Sequence, residues 1–233
     1  MAIKGFIPIT LLDYPGKIAS MIFLSGCNFR CHFCYNKELV FDEKSLPAIE
    51  EKEIFNYLEK KKNWLDGVVI TGGEPTVDSS LITLCQKIKK QGLAIQIQTN
   101  GTNPEMLEKL IKNKLVDFVA MDLKGPLPKY HQIVNCQVDI FKIRESIELI
   151  LKNPQIEAEF RTTIVPGLIN QKDILEIIKM IKKTSRPYFI KQFQNEKTLD
   201  PKFRLQKPYE SKELEKILKQ AKKYYANVKL RGA

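Results

Sequence analysis

Short apolar runs alternate along the chain with longer stretches in which apolar residues recur every three or four positions. The runs are Ile18–Leu24, Gly67–Thr71, Ala94–Thr99, Asp117–Asp122, Glu157–Ile164 and Tyr188–Phe193, each of strand length. The amphipathic stretches fall near 50–62, 79–91, 104–114, 140–152, 172–184 and 211–225. In the first, Ile54, Tyr57 and Leu58 share a helix face; in the last, Leu214, Ile217, Leu218 and Ala221 do the same. Local punctuation agrees with the pattern. Asp78 or Ser79 can cap the second helix and Gly92 follows its end, while Asn103-Pro104 opens the third with proline at the first helical position.

Six strand–helix units predict parallel strands joined by right-handed crossovers, in either a doubly wound sheet or a barrel-like wrap. A full eight-unit barrel takes about 250 residues. Six units in 233 residues therefore predict an α/β protein built as an incomplete (β/α)6 TIM-like barrel. The expected organisation is a single domain over 1–233, with a core at about 18–194, an N-terminal extension at 1–17 and a basic C-terminal helix at about 211–225. Within the extension, Asp13-Tyr14-Pro15-Gly16-Lys17 reads as a type II turn, and Phe6–Leu12 as an extra strand beside the barrel.

Charge adds an asymmetry. The chain carries 38 Lys+Arg against 27 Asp+Glu, a net charge of +11. Residues 1–178 are neutral, so the excess lies in 179–233. A basic end can steer a protein toward nucleic acid, an anionic membrane or an acidic partner. Here 32 of the 38 basic residues are lysines, which suits a solvated face better than phosphate recognition; nucleic acid is not the expected partner. No apolar run is longer than four residues, as in Met21–Leu24 and Phe118–Met121, which excludes a membrane-spanning helix. The opening MAIKGFIPIT lacks a signal-peptide core, which argues for the cytoplasm.

The chemistry is concentrated just after the first strand, in Ser25-Gly26-Cys27-Asn28-Phe29-Arg30-Cys31-His32-Phe33-Cys34-Tyr35-Asn36. Three thiols spaced C-x3-C-x2-C on one tight loop can hold three corners of a 4Fe–4S cubane, which ordinarily takes four cysteinyl ligands. The fourth iron is then open to a small molecule. Structural zinc is the competing reading, but it closes its shell with four ligands, no second cysteine pair exists, and His32 sits awkwardly between two of the cysteines. Cys85 falls on a helix face with Leu81, Ile82 and Ile88, a core position. Cys136 follows Pro126 and Pro128 in a loop and reads as a bystander, with a remote fourth ligand as its other possible role.

C-x3-C-x2-C with an aromatic, Phe33, before the third cysteine resembles the signature of the radical S-adenosylmethionine (SAM) superfamily. Further motifs follow in order at strand ends: Gly72-Gly73-Glu74-Pro75, Thr99-Asn100-Gly101, Met121-Asp122-Leu123-Lys124, and Arg161 with Val165-Pro166-Gly167. Within that superfamily, DYPGK, GCNFRCHFCYN and ITGGEP together resemble the short activating proteins of anaerobic ribonucleoside-triphosphate reductase; pyruvate formate-lyase activating enzymes are similar. Tyr35-Asn36 stands where the family pattern often has His-Asn.

The resemblance implies a barrel of the radical SAM type that carries a 4Fe–4S cluster on Cys27, Cys31 and Cys34 and binds SAM. It implies reductive cleavage of SAM to a 5′-deoxyadenosyl radical, which would generate a glycyl radical on the reductase, with a small donor such as flavodoxin or ferredoxin supplying electrons. For the site it implies SAM contacts from Phe33, Gly72, Gly73, Glu74, Pro75, Thr99, Asn100, Asp122 and Lys124. The two glycines would let backbone carbonyls approach the SAM amino group, and Lys124 would face its carboxylate. Thr99, Asn100 and Asp122 would grip the ribose or a cation. Arg161 is expected in the catalytic set, facing inward and paired with Glu74 or the cofactor. Asn28, Phe29 and Arg30 would shape the cluster loop. Two other functions stay open: a radical SAM enzyme acting on a small molecule or tRNA base, like 7-carboxy-7-deazaguanine synthase, and a non-catalytic metal-binding module. The latter leaves the Gly72–Pro75 loop unexplained.

Overall fold

Period-two alternation in the strands separates two faces, and burying both requires helices on one side and a closed or curled sheet on the other. The computed structural model describes residues 2–41, 46–182 and 184–232. The elements run β1 (Ile3–Thr10), β2 (Ala19–Leu24), α1 (Lys37–Phe41), α2 (Glu51–Lys61), β3 (Gly67–Gly72), α3 (Leu81–Lys90), β4 (Ala94–Thr99), α4 (Pro104–Lys112) and β5 (Phe118–Asp122). They continue with α5 (Tyr130–Val134), α6 (Ile140–Lys152), β6 (Glu157–Ile164), α7 (Gln171–Ile181), β7 (Tyr188–Gln192), α8 (Ser211–Lys222) and β8 (Val228–Arg231). All eight strands form one sheet in chain order. β1 is antiparallel to β2, and β2 to β8 are parallel. Among the described residues β1 and β8 do not pair, so the wrap stays open as an incomplete barrel.

The outward row of the strands, including Ile22, Val68, Ile70, Ile95, Ile97, Val119, Met121, Phe160 and Ile190, is buried against Ile54 and Leu58 of α2, Ile88 of α3, Leu110 of α4, Ile147 of α6 and Ile177 of α7. Each such side chain contributes about 1.5–3 kcal/mol relative to exposure. The inward row is different. At the N-terminal ends of the strands it is apolar, with Ala19, Met21, Val69, Phe118 and Ala120 packed around Tyr14. Toward the C-terminal ends it turns polar, with Thr71, Gln98, Asp122, Thr163 and Lys191 facing one cavity.

The Asp13–Lys17 segment is a turn as expected: Lys17 N donates to Tyr14 O at 3.2 Å, and Gly16 has φ +72°, the third-position conformation of type II. Its effect is to insert Tyr14 as the plug of the barrel floor, edge-on to Phe118 with ring centroids 5.7 Å apart. Gly67 lies beneath that ring, where a Cβ would sit 3.0 Å from Tyr14 Cε1.

The six expected strands and six expected helices are all present, with ends shifted by a few residues. The extra strand of the extension covers Ile3–Thr10 rather than Phe6–Leu12. The helix expected over 172–184 ends at Ile181, and residue 183 lies outside the described residues. The second helix takes Ser80 as its N-cap, with no side-chain cap bond; Asp78 instead accepts from Ser80 N at 2.8 Å. Asn103 caps α4 as expected, accepting from Met106 N at 3.1 Å. Three elements had no sequence expectation: the short helices α1 and α5, and β8. The last makes α8 a crossover between paired strands rather than an appended helix.

Candidate active site

The C-terminal ends of β2 to β7 surround a cavity lined by Cys27, Cys31, Cys34, Phe33, Gly72, Gly73, Glu74, Thr99, Asn100, Asp122 and Lys124. Residues far apart in sequence reach it because parallel strands deliver successive loops to the same rim. A wider groove on the outer surface, between α6 and α7, is lined by Leu127, Ile140, Ile147, Leu151 and Met180 and carries no thiol; the chemistry belongs to the rim.

The cysteine loop is pinned on every side. Gly26 N donates to Leu39 O of α1 at 2.9 Å, and Arg30 N to Val134 O of α5 at 2.9 Å. The Arg30 guanidinium folds back onto Cys27 O and Phe29 O. Asn28 bonds Thr102 and Asn100, tying the loop to the end of β4. Buried Phe29 packs edge-on to Tyr130. After β7 the chain returns to clasp the loop: Gln194 N donates to the Tyr35 hydroxyl, Asp200 N to His32 O, and Asp200 Oδ2 lies 3.2 Å from His32 Nδ1, with Phe203 stacked on the His32 ring. His32 is thereby engaged away from the thiols.

Burial pushes the thiols up, to about 11 for Cys27 and about 12 for Cys31, and raises Cys34. Lys124 acts in the opposite sense on all three. Thiols of this kind stay protonated at neutral pH until a metal displaces the proton. Among the described residues no three His, Cys, Asp or Glu side chains gather about a single ion. In a cubane each iron takes its own thiolate, so the sulfurs need not converge on one point. Three thiols on a pinned loop, Cys31 buried and Cys27 and Cys34 half-buried, lining a cavity that holds a lysine, fit a 4Fe–4S cluster with one open corner.

The Gly72–Pro75 turn is fixed by the same loop. Gly73 N donates to Leu24 O at 2.9 Å and Glu74 N to Gly26 O at 2.8 Å. Gly72 has φ +120°, and a Cβ there would lie 2.2 Å from Leu24 O; at Gly73 it would lie 1.9 Å from Gly26 O. The expectation that these glycines clear space for a ligand is corrected here: the space they leave is filled by protein backbone. Glu74 is fully buried, and its two oxygens accept from Thr76 N, Thr76 Oγ1, Thr99 Oγ1 and Asn100 N. Burial raises its pKa, with those donors opposing. It orients the ends of β3 and β4. Pro75 is buried at the start of a short 3-10 turn and does not line the cavity.

Asp122 and Lys124 form a pair, Nζ to Oδ2 2.9 Å, on the strand end they share. Burial would raise Asp122, but Lys124, Lys191 and Arg161 outweigh it and hold the carboxyl at about 2. Burial would lower Lys124, and Asp122 and Cys31 raise it instead. Tyr130 accepts from Lys124 N at 3.1 Å, fixing the backbone there. Arg161 faces inward as expected, but its partner is Glu159 and not Glu74. Glu159 also takes Arg231 in a bidentate pair at 2.8 and 3.1 Å. Arg161 is two residues short of the cavity, which Thr163 of the same strand face reaches. A carboxylate on its own strand face satisfied the charge that the sequence reading had sent across the barrel.

Cys85 is fully buried in the core of α3, as expected. Cys136 follows α5 and rests against the cysteine loop, its Sγ 3.4 Å from Asn28 O. Thr71, Gln98, Thr163, Lys191 and Tyr130 escaped the sequence reading. The alternation Tyr188-Phe189-Ile190-Lys191 is the available signal for Lys191, since it places the lysine on the face opposite to the buried Tyr188 and Ile190.

Comparison with known proteins places the whole chain in a family. The model of the family described as the radical SAM superfamily matches residues 21–183. A protein of Methanocaldococcus jannaschii, provisionally named a glycyl-radical enzyme activating enzyme, is 37% identical over 233 residues, covering 98% of this chain and 95% of its own. The pyruvate formate-lyase-activating enzyme of Clostridium pasteurianum is 26% identical over 188 residues, covering 76% of this chain and 75% of its own. Among solved structures, Streptococcus suis SuiB bound to precursor peptide SuiA superposes with a TM-score of 0.71 at 16% identity, over 91% of this chain and 48% of that one. At that identity the likeness is one of fold.

Proposed function

This chain belongs to the radical SAM superfamily, and we propose that within it the protein activates a glycyl-radical enzyme, the anaerobic ribonucleoside-triphosphate reductase. Members of the superfamily use a 4Fe–4S cluster together with SAM. When bound, that pair supplies one-electron reductive cleavage of SAM to methionine and a 5′-deoxyadenosyl radical, which takes a hydrogen atom from the substrate. The protein's part is to hold, orient and shield. Cys27, Cys31 and Cys34 would give up their protons to hold the cluster. Glu74 and Pro75 fix the turn at Gly72-Gly73, whose main chain lines the cavity and would receive the SAM amino group. Lys124, held by Asp122 and Tyr130, serves the carboxylate; Thr99 and Asn100 line the same wall. Phe29 and Phe33 keep water from the cluster side. A flavodoxin or ferredoxin delivers the electron.

The observation that carries the reading is the meeting of the three thiols, the Gly72–Glu74 turn and the Asp122–Lys124 pair in one cavity of an open barrel. An open side leaves room at the rim for a loop of a large protein. The Methanocaldococcus jannaschii relative, which covers nearly the whole chain, is provisionally named for activating a glycyl-radical enzyme, without naming which one. The choice of reductase rests on the DYPGK, GCNFRCHFCYN and ITGGEP segments. The test is anaerobic incubation of the reconstituted protein with SAM, reductant and the reductase of the same organism. A glycyl-radical electron paramagnetic resonance doublet on the reductase is expected. SAM cleavage without that doublet, while another glycyl-radical enzyme acquires one, assigns the partner elsewhere.

A further inference from the structure

The chain that follows β7 clasps the cysteine loop without entering the cavity. None of residues 194–207 lines the cavity, nor does His32, whereas its neighbours Cys31 and Phe33 do. His32 is therefore turned to the back of the loop, and there it meets a short 3-10 turn, Pro201–Leu205. Asp200 opens that turn, accepting from Lys202 N at 2.9 Å. Phe203 forms its inner side, stacked on the His32 ring with centroids 5.5 Å apart. The outer side carries Lys202, Arg204 and Leu205, with Lys207 two residues beyond, all exposed. Leu205 is 88% exposed. Lys202, Arg204 and Lys207 make no ion pair with any described residue.

Three cations beside one exposed leucine form a small surface of one sign with an apolar centre, complementary to an acidic protein face. Its position decides which partner it suits. A substrate has to reach the cavity, and the cysteine loop stands between the cavity and this face. An electron has only to reach the cluster on Cys27, Cys31 and Cys34, and the turn touches that loop at His32, next in sequence to Cys31. Redox partners meet through interfaces at the small end of the protein–protein range, which this patch can supply.

We infer that the outer face of this turn, with Lys202, Arg204, Leu205 and Lys207, is the docking surface for a small acidic one-electron carrier protein. One electron leaves the reduced carrier and enters the cluster; no bond is made or broken. Phe203 and His32 fill the space between the docked carrier and Cys31. The inference rests on the proposed reading, in which such a carrier feeds reductive cleavage of SAM.

The test compares two triple variants of the anaerobically reconstituted protein that lose the same charge. One is Lys202→Gln, Arg204→Gln and Lys207→Gln; the other is Lys219→Gln, Lys222→Gln and Lys223→Gln, on and after α8. Binding of the flavodoxin and the ferredoxin of the same organism is followed by surface plasmon resonance at low and physiological salt. Wild type should bind one of them, less tightly as salt rises. The turn variant should bind it about tenfold more weakly, and the α8 variant about as well as wild type. Leu205→Gln should weaken binding at both salts, because its contribution is apolar. Bleaching of the cluster by the reduced carrier should slow in the turn variant, while bleaching by dithionite, which needs no docking, stays unchanged. Wild-type binding by the turn variant, equal losses in both triple variants, or no binding of either carrier to wild type overturns the docking surface. A turn variant that keeps the carrier but loses the glycyl-radical enzyme gives the face to that enzyme instead and also overturns it. Failure of the wild type to cleave SAM even with dithionite overturns the reading on which the inference rests.

Discussion

Replacing Gly73 by alanine asks whether the glycine serves the ligand or the fold. Its Cβ would lie 1.9 Å from Gly26 O and 2.5 Å from the carbonyl carbon, about 1 Å or more inside any contact a packed interior tolerates. The obstacle is backbone on a pinned loop, so no side chain can swing aside. Forced overpacking costs about 1–3 kcal/mol. The shift also stretches the Gly73 N–Leu24 O and Glu74 N–Gly26 O bonds, each worth about 1 kcal/mol. The expected loss is thus about 2–5 kcal/mol, a large part of the stability of an ordinary domain. Urea unfolding of the apo-protein measures it, and iron per chain after anaerobic reconstitution reports whether Cys27, next to Gly26, still holds its place. Gly92→Ala is the control: its φ is +78° with nothing within 4 Å, so it adds only left-handed strain of about 1–2 kcal/mol. A Gly73→Ala protein with the wild-type midpoint and a full cluster, but weakened SAM affinity by equilibrium dialysis, would refute the argument and return the glycine to the ligand.

Cys27→Ala, Cys31→Ala and Cys34→Ala should each abolish cluster assembly, while Cys85→Ala and Cys136→Ala retain it; four irons in Cys31→Ala, by iron and sulfide analysis, would sink the ligand set. Asp122 is held at about 2 against an ordinary 3.8. The stability it contributes is therefore present above pH 3.8 and lost as pH falls toward 2. Asp122→Asn should flatten that part of the apo-protein's acid unfolding profile, and an unchanged profile would show that the Lys124 pair is not held in solution. Lys219, Lys222 and Lys223 are exposed on or just after α8; reversing them to Glu should slow association with the glycyl-radical enzyme that the protein activates at low salt, where steering is strongest. Equal stopped-flow association rates would leave these lysines as a solvated face.

The sequence by itself determined the elements and their order. Apolar alternation in Gly67–Thr71 or Ala94–Thr99, three-to-four spacing in the helices and the Asn103-Pro104 start are local signals, and parallel crossovers with a shared rim follow from them. It also brought the cysteine triad, the Gly72–Pro75 turn and Asp122-Lys124 to the same rim, because each ends a strand of one parallel sheet. What it left undecided was who meets whom across the interior. Arg161 found Glu159 two residues away on its own strand face, and Arg231 joined them from β8, whose four residues gain strand geometry only by pairing with β7. Tyr14 reads as part of a turn until the barrel floor closes on it. The two glycines read as a ligand cradle until the backbone of Leu24 and Gly26 occupies their missing Cβ positions. Lys191 is a polar residue in a strand until the curl of the sheet brings it into the cavity with Asp122 and Lys124. Periodicity along a chain fixes which face a residue takes, whereas partners and empty space are set by elements many residues away.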